Sequence, residues 1–147
     1  MDVCIQRLNE AGVRYLLIGG QAMRLEGMPR FSMDWDFFIP SKDRDNFVKI
    51  NALFQDMFDL PLEPLGPHGE GFVQTYQTPF GIIQFHLAPP GLPSFDEAEK
   101  RMVLHHTETG VPVKCAATAD LLTSKLSTGR SRDDDDIEFL KIKLGGA

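Results

Sequence analysis

A glycine pair and a spaced carboxylate pair constrain this chain more than any other feature of its 147 residues. Gly19-Gly20 closes the apolar run Tyr15-Leu16-Leu17-Ile18. Thirteen residues later, Asp34 and Asp36 sit at alternate positions of another apolar run, Asp34 to Ile39. Side chains of a strand alternate faces. If the second run is a strand, Asp34 and Asp36 share one face, and Trp35 and Phe37 the other. Glycine lets backbone come close to a ligand, and the amides of a helix start attract anions. Two carboxylates on one rigid face are hard oxygen ligands, suited to a divalent cation. These features outline a site for a metal-bound phosphate chain. A plainer reading makes the carboxylates a solvent-facing strand end and the glycines a tight turn with no ligand. The turn geometry is common to both readings.

Bulk properties narrow the classes of partner. The length favours one domain with a real core. The formal net charge is −6, which disfavours a broad electrostatic grip on nucleic acid and leaves room only for a local basic patch. Cys4 and Cys115 lack metal-ligand spacing and lie in apolar contexts, so reduced, packed thiols are expected rather than a disulfide. Met1-Asp2-Val3-Cys4 does not open a targeting segment, and no apolar run approaches membrane-spanning length. The expectation is a soluble cytoplasmic protein with no membrane partner.

The order of elements reads as α/β, a short mixed sheet flanked by helices in one domain spanning 1–147. Val3, Cys4, Leu8 and Ala11 recur at helical spacing before Gly12. Tyr15 to Ile18 is a short buried strand and Gln21 to Glu26 a helix. The strand Asp34 to Ile39 is stopped by Pro40, and Ser41 is the expected cap of a helix running to about Met57. Residues 60–71 form a proline- and glycine-rich loop. Phe72 to Gln77 and Ile82 to Leu87 read as strands joined at Thr78-Pro79-Phe80-Gly81. Ser94 with Glu97 resembles a capping box, and Met102 to Thr107 with Val111 to Lys114 a hairpin. Thr118 is expected to cap a helix through Leu126. Ser131 with Asp134 is expected to cap a last helix with the stripe Ile137, Leu140 and Leu144.

In this order the motifs resemble the nucleotidyltransferase-fold superfamily of DNA polymerase β type, in its small bacterial branch of minimal nucleotidyltransferases and abortive-infection toxin-like proteins. That family's pattern is an apolar residue, Gly, then Gly or Ser, a gap, and Asp-x-Asp or Asp-x-Glu between apolar residues. Here it reads Ile18-Gly19-Gly20 and Asp34-Trp35-Asp36-Phe37. Arg30-Phe31-Ser32-Met33-Asp34 resembles the Arg-x-Thr-x-Asp that precedes the carboxylates. Downstream, Ser94 to Ala98, Val111-Pro112-Val113, Asp120-Leu121-Leu122 with Lys125, and Gly129-Arg130-Ser131-Arg132-Asp133 with Asp136-Ile137 resemble the family's later elements. The set covers most of the chain.

The resemblance implies a nucleoside triphosphate as ligand, Mg²⁺ as cofactor (Mn²⁺ meets the same need) and transfer of a nucleotidyl group to a hydroxyl of a small molecule, protein or RNA. It implies Asp34 and Asp36 as metal ligands and Gly19 and Gly20 as the phosphate approach, with Gln21 adding an amide. The family's third carboxylate falls at Gln84, which carries no charge and takes no proton near neutrality. His86 shares the strand face of Gln84 and is a substitute candidate for the base. The neutral Gln84 keeps a second reading open: a degenerate binding module, part of a toxin–antitoxin-like pair. Arg30 reads as a loop anchor before a phosphate contact. Lys125 and Arg130 read equally as phosphate contacts or as basic helix ends. The run Asp133 to Asp136 reads as favourable charge at a helix start rather than a metal site, because consecutive helical residues fan out. His105-His106 alternates faces, His68 is a loop residue, and Trp35 and the phenylalanines are read as core rather than as a base-stacking platform.

Overall fold

A computed structural model describes residues 1–145. Six strands form one mixed sheet: β1 Leu16–Ile18, β2 Asp34–Phe38, β3 Val73–Thr78, β4 Gly81–His86, β5 Val103–His106 and β6 Pro112–Cys115, in the order β3-β4-β2-β1-β6-β5. β2 runs parallel to β4, and β1 parallel to β6. β1 and β2 are antiparallel, as are the hairpins β3–β4 and β5–β6. Six helices accompany the sheet: α1 Asp2–Glu10, α2 Gly19–Leu25, α3 Arg44–Leu53, α4 Phe95–Lys100, α5 Thr118–Thr128 and α6 Asp134–Leu144. The α/β class and the mixed sheet expected from the sequence are what the fold has.

Alternation in β2 and β4 decides where the site lies. Phe37, Ile83 and Phe85 are buried, and Tyr15 meets Phe37 edge-on with ring centroids 5.5 Å apart. Burying one such side chain contributes about 1.5–3 kcal/mol, which fixes the register against a one-residue slip. With those residues turned inward, the opposite face carries Asp34, Asp36, Gln84 and His86. The parallel register pairs Asp36 with Gln84 and Phe38 with His86. Among the helices, α1 packs on α3, α2 lies against β1 and β2, and α5 pairs with α6.

Several helix boundaries differ from expectation. Asp43, not Ser41, caps α3, its side chain accepting from the amide of Asn46. Arg14 draws Asp43 into place at 3.0 Å, a contact across 29 residues that local sequence does not display. α3 stops at Leu53 rather than near Met57. Phe54 and Phe58 leave the helical path to stack on each other at 4.8 Å, and Phe58 stacks on Tyr76 at 3.8 Å. α5 begins at Thr118 with no side-chain cap, because the Thr118 hydroxyl donates to Glu26 instead. Ser131 caps nothing: Ser131–Asp133 is a 3₁₀ turn leading into α6. Ser94 does cap α4, accepting from the amide of Glu97. Cys4 and Cys115 are buried free thiols, and burial pushes both up to about 12. Among the described residues no helix is long and apolar enough to cross a membrane.

Candidate active site

The carboxylate face of β2 and β4 floors a cleft of about 610 Å³, closed on its far side by α5 and the turn before α6. Gly19, Gly20, Arg30, Asp34, Asp36, Gln84, His86, Lys125 and Arg130 all line it. The structure thus brings together every site residue named from the sequence except Gln21.

The glycines are there for space. β1 pairs Ile18 with Asp36, so the turn out of β1 lies against that carboxylate. Gly19 has φ +72°, and a Cβ built on it would overlap the Asp36 carboxylate. A Cβ on Gly20 would overlap the side chain of Ser32. Both positions therefore need glycine to let the strand–helix turn close on the floor of the cleft.

His86 is not free in the cleft. Its Nε2 lies 2.8 Å from Asp36 Oδ1, and both side chains are largely buried. An ionised carboxylate only accepts, so the imidazole donates from Nε2 and holds one oxygen of Asp36. Asp36 Oδ2 is the oxygen turned towards Gly19. Gln84 lies beside Asp36 on the neighbouring strand. Among the described residues no group of three or more His, Cys, Asp or Glu is arranged to hold a metal ion. Two hard oxygen donors fit Mg²⁺ nonetheless, since that ion keeps several waters and fills its shell with substrate phosphates.

Gln21 faces away from the cleft. It is buried, its Nε2 donating to the Ser32 carbonyl at 2.9 Å and its Oε1 accepting from Arg24 at 2.9 Å. It positions the loop before β2. Arg30 is a loop anchor, its Nη1 2.5 Å from the buried carboxylate of Asp136.

The far wall is an ion-pair cluster, more than the favourable charge at a helix start expected for Asp133 to Asp136. Asp133 and Asp136 are buried, whereas Asp134 and Asp135 are exposed. Lys125 Nζ reaches Asp133 at 3.2 Å and Asp136 at 3.0 Å, and Arg130 Nε reaches Asp133 at 2.8 Å. Burial pushes the Asp133 carboxyl up, but bonds from Thr128 and Arg130 and the charge of Lys125 outweigh it and hold it at about 2. The spacing i, i+3 was the available signal: such residues share a face even where consecutive ones fan out. Arg132, Phe31 and Met33 also line the cleft; Phe31, expected in the core with the other phenylalanines, is exposed.

Glu26 is a further buried carboxylate, outside that cluster. Just past α2, it accepts from Thr118 at 3.0 Å, lies 3.3 Å from His105 Nε2 and pairs with Lys143 at 2.5 Å. Burial raises its carboxyl, and those three partners together bring it below the ordinary range. It ties the helix that starts at the glycines to β5, α5 and α6. His106 is exposed and takes no part.

No protein-family model and no curated protein sequence matches the chain. Solved structures do. The Thermotoga maritima protein TM1012, described as a "putative nucleotidyltransferase", superposes with a TM-score of 0.67 at 14% identity, over 99% of this chain and 91% of that one. The chain has a nucleotidyltransferase-like fold. JHP933 from Helicobacter pylori matches with a TM-score of 0.50 at 18% identity, over 92% of this chain and 60% of that one. The chain thus spans nearly the whole of the first protein and about three-fifths of the second. Within this nucleotidyltransferase-like fold, both aspartates sit on β2, the third strand from the β3 edge of the sheet, with Gln84 and His86 beside them on β4.

Proposed function

We propose that this cleft binds a nucleoside triphosphate with Mg²⁺ and transfers its nucleotidyl group to a hydroxyl acceptor. The observation that carries the reading is Asp34 and Asp36 side by side on the cleft floor, against a turn that admits only glycine at Gly19. Asp34 and Asp36 would hold the ion, which when bound neutralises and orients the triphosphate. The chain's own residues do the rest. His86 fixes the rotamer of Asp36 through Oδ1, so that carboxylate is oriented before ligand arrives. The backbone of the Gly19-Gly20 turn, which lines the cleft, would offer its amides to phosphate oxygens. The acceptor oxygen bonds to the α-phosphorus as the bond to the departing pyrophosphate breaks, and the acceptor proton is released.

Titration calorimetry with ATP tests the binding step. Binding is expected to require Mg²⁺ and to vanish in the Asp34→Asn, Asp36→Asn double variant. A parent protein that binds no ATP at any Mg²⁺ concentration refutes the reading.

Gln84 favours a second reading, a module that binds the nucleotide without turning it over. An amide beside Asp36 adds no negative charge for a second cation and accepts no proton. On this account Gln84→Asp raises the rate of pyrophosphate release with an acceptor present by about a hundred-fold, the lower range of general-base effects. A parent already fast, and unharmed by Gln84→Ala with His86→Ala, removes this account of the missing base.

A further inference from the structure

We infer that Phe31, with Met33 beside it, is a nucleobase-stacking residue at the lip of the cleft. The inference rests on the nucleotide-binding reading and adds to it where the base goes. Phe31 is 80% exposed and Met33 64%, yet both line the cleft that holds Asp34 and Asp36. A single exposed apolar side chain is ordinary on a protein surface. Phe31 differs in how firmly it is held there.

Its backbone is clamped on both sides. Before it, Arg30 is tied to the buried Asp136 of α6, and Arg30 Nε also donates to the Phe31 carbonyl at 3.3 Å. After it, the Ser32 carbonyl accepts from the buried Gln21 amide at 2.9 Å, and the Ser32 side chain packs onto Gly20 with no room for a Cβ between them. Ser32 Oγ lies 3.4 Å from the Asp34 carbonyl, joining the clamp to β2. A buried glutamine and a buried aspartate are thus committed to a segment that directs its phenyl ring into solvent. That outlay does not serve the core, which the ring does not join.

The cleft is also chemically divided, and a nucleotide is divided in the same way. Its floor carries Asp34 and Asp36. Its far wall carries Lys125, Arg130 and Arg132. Its lip carries Phe31 and Met33. A triphosphate belongs between the floor and the cationic wall, which leaves the lip for the flat face of the base. Stacking on an aromatic ring tolerates any base, because every base has a π-face. The lip therefore adds affinity with little choice among the four bases.

The test measures Mg²⁺-dependent binding of ATP and of inorganic tripolyphosphate to the parent, Phe31→Ala and Phe31→Trp. Folding of each variant is checked by circular dichroism. Phe31→Ala is expected to weaken ATP about ten-fold and leave tripolyphosphate unchanged, while Phe31→Trp keeps ATP binding. UTP, CTP and GTP are expected to follow ATP. Equal losses for ATP and tripolyphosphate, or no loss for either, overturn the inference. A parent that binds tripolyphosphate as tightly as ATP overturns the stacking role and leaves the phosphate site standing. A parent that binds neither overturns both. A single-stranded RNA oligonucleotide is the last probe, expected to be insensitive to Phe31→Ala. An effect on RNA alone overturns the assignment to the triphosphate's own base.

Discussion

Replacing Gly19 with alanine perturbs the site at its tightest point, and two separable costs follow from the geometry. The first is backbone strain. Gly19 has φ +72°, where an L-residue costs about 1–2 kcal/mol. The second is collision. The new Cβ would overlap the Asp36 carboxylate, and inserting a methyl group into a filled space costs about 1–3 kcal/mol. Asp36 has little freedom to yield, because its other oxygen is held by His86 at 2.8 Å. Gly19→Ala is therefore expected to destabilise the fold by about 2–5 kcal/mol. Gly27→Ala is the control. Gly27 also has positive φ, +109°, but a Cβ there meets nothing within 4 Å. It registers strain without collision. Urea unfolding at matched slopes gives both differences. A double-mutant cycle with Asp36→Ala then isolates the collision, since that change removes the overlapping atoms. The expected coupling is about 1 kcal/mol or more. If Gly19→Ala costs no more than Gly27→Ala and adds to Asp36→Ala without coupling, the account of the glycine as a space requirement is wrong.

Acid should erode the far wall late. The Asp133 carboxyl is held at about 2 against an ordinary 3.8, so the folded state binds fewer protons than the unfolded state between those values. The resulting stability, about 2 kcal/mol, is fully present above 3.8 and lost as pH falls through 2. Asp133→Asn should therefore cost about that much at neutral pH and much less near pH 2 by urea unfolding. A cost independent of pH contradicts the ion-pair assignment. Both thiols, raised to about 12 by burial, should resist iodoacetamide at pH 8 until the protein unfolds, because the thiolate is the nucleophile. Rapid labelling of the folded chain, followed by mass spectrometry, would place at least one of them outside the core.

The floor of the site was legible because strand alternation is a local rule. The spacing of Asp34 and Asp36, and of Gln84 and His86, fixes which residues share a face before any pairing is known. The apolar partners Phe37, Ile83 and Phe85 then decide which face is core. The wall and the supports were not legible, because long-range partners decide them. Glu26 looks like an ordinary charged residue at a helix end. It is buried only because His105, Thr118 and Lys143 meet it across 79 to 117 residues of sequence. Thr118 failed as a cap for the same reason, and Ser41 lost its role to Asp43 because Arg14 is placed beside the latter. Asp133 and Asp136 could have been paired by their i, i+3 spacing. That they face Lys125 and Arg30 required the fold. Phe31 sits in a chain where most phenylalanines are core, and nothing local marks it as the exception.

The charge inventory of the cleft bears on how any polyphosphate is held. Arg30, Lys125 and Arg130 line the cleft, but each is paired with Asp133 or Asp136. Three cations against two carboxylates leave a single positive charge there, joined by Arg132. The floor opposes it with Asp34 and Asp36, and the chain as a whole carries −6. Without a cation on the floor, a triphosphate would meet nearly equal positive and negative charge, with the carboxylates on the side where its phosphates must lie. On the proposed reading, side-chain attraction alone is then too weak to seat the ligand, and a divalent ion on Asp34 and Asp36 reverses the sign of the floor. Nucleotide affinity should therefore depend far more steeply on Mg²⁺ than on any single basic residue of the wall. The wall cations, already committed to buried carboxylates, act mainly by fixing the loop that carries Phe31 and the turn that carries Arg132.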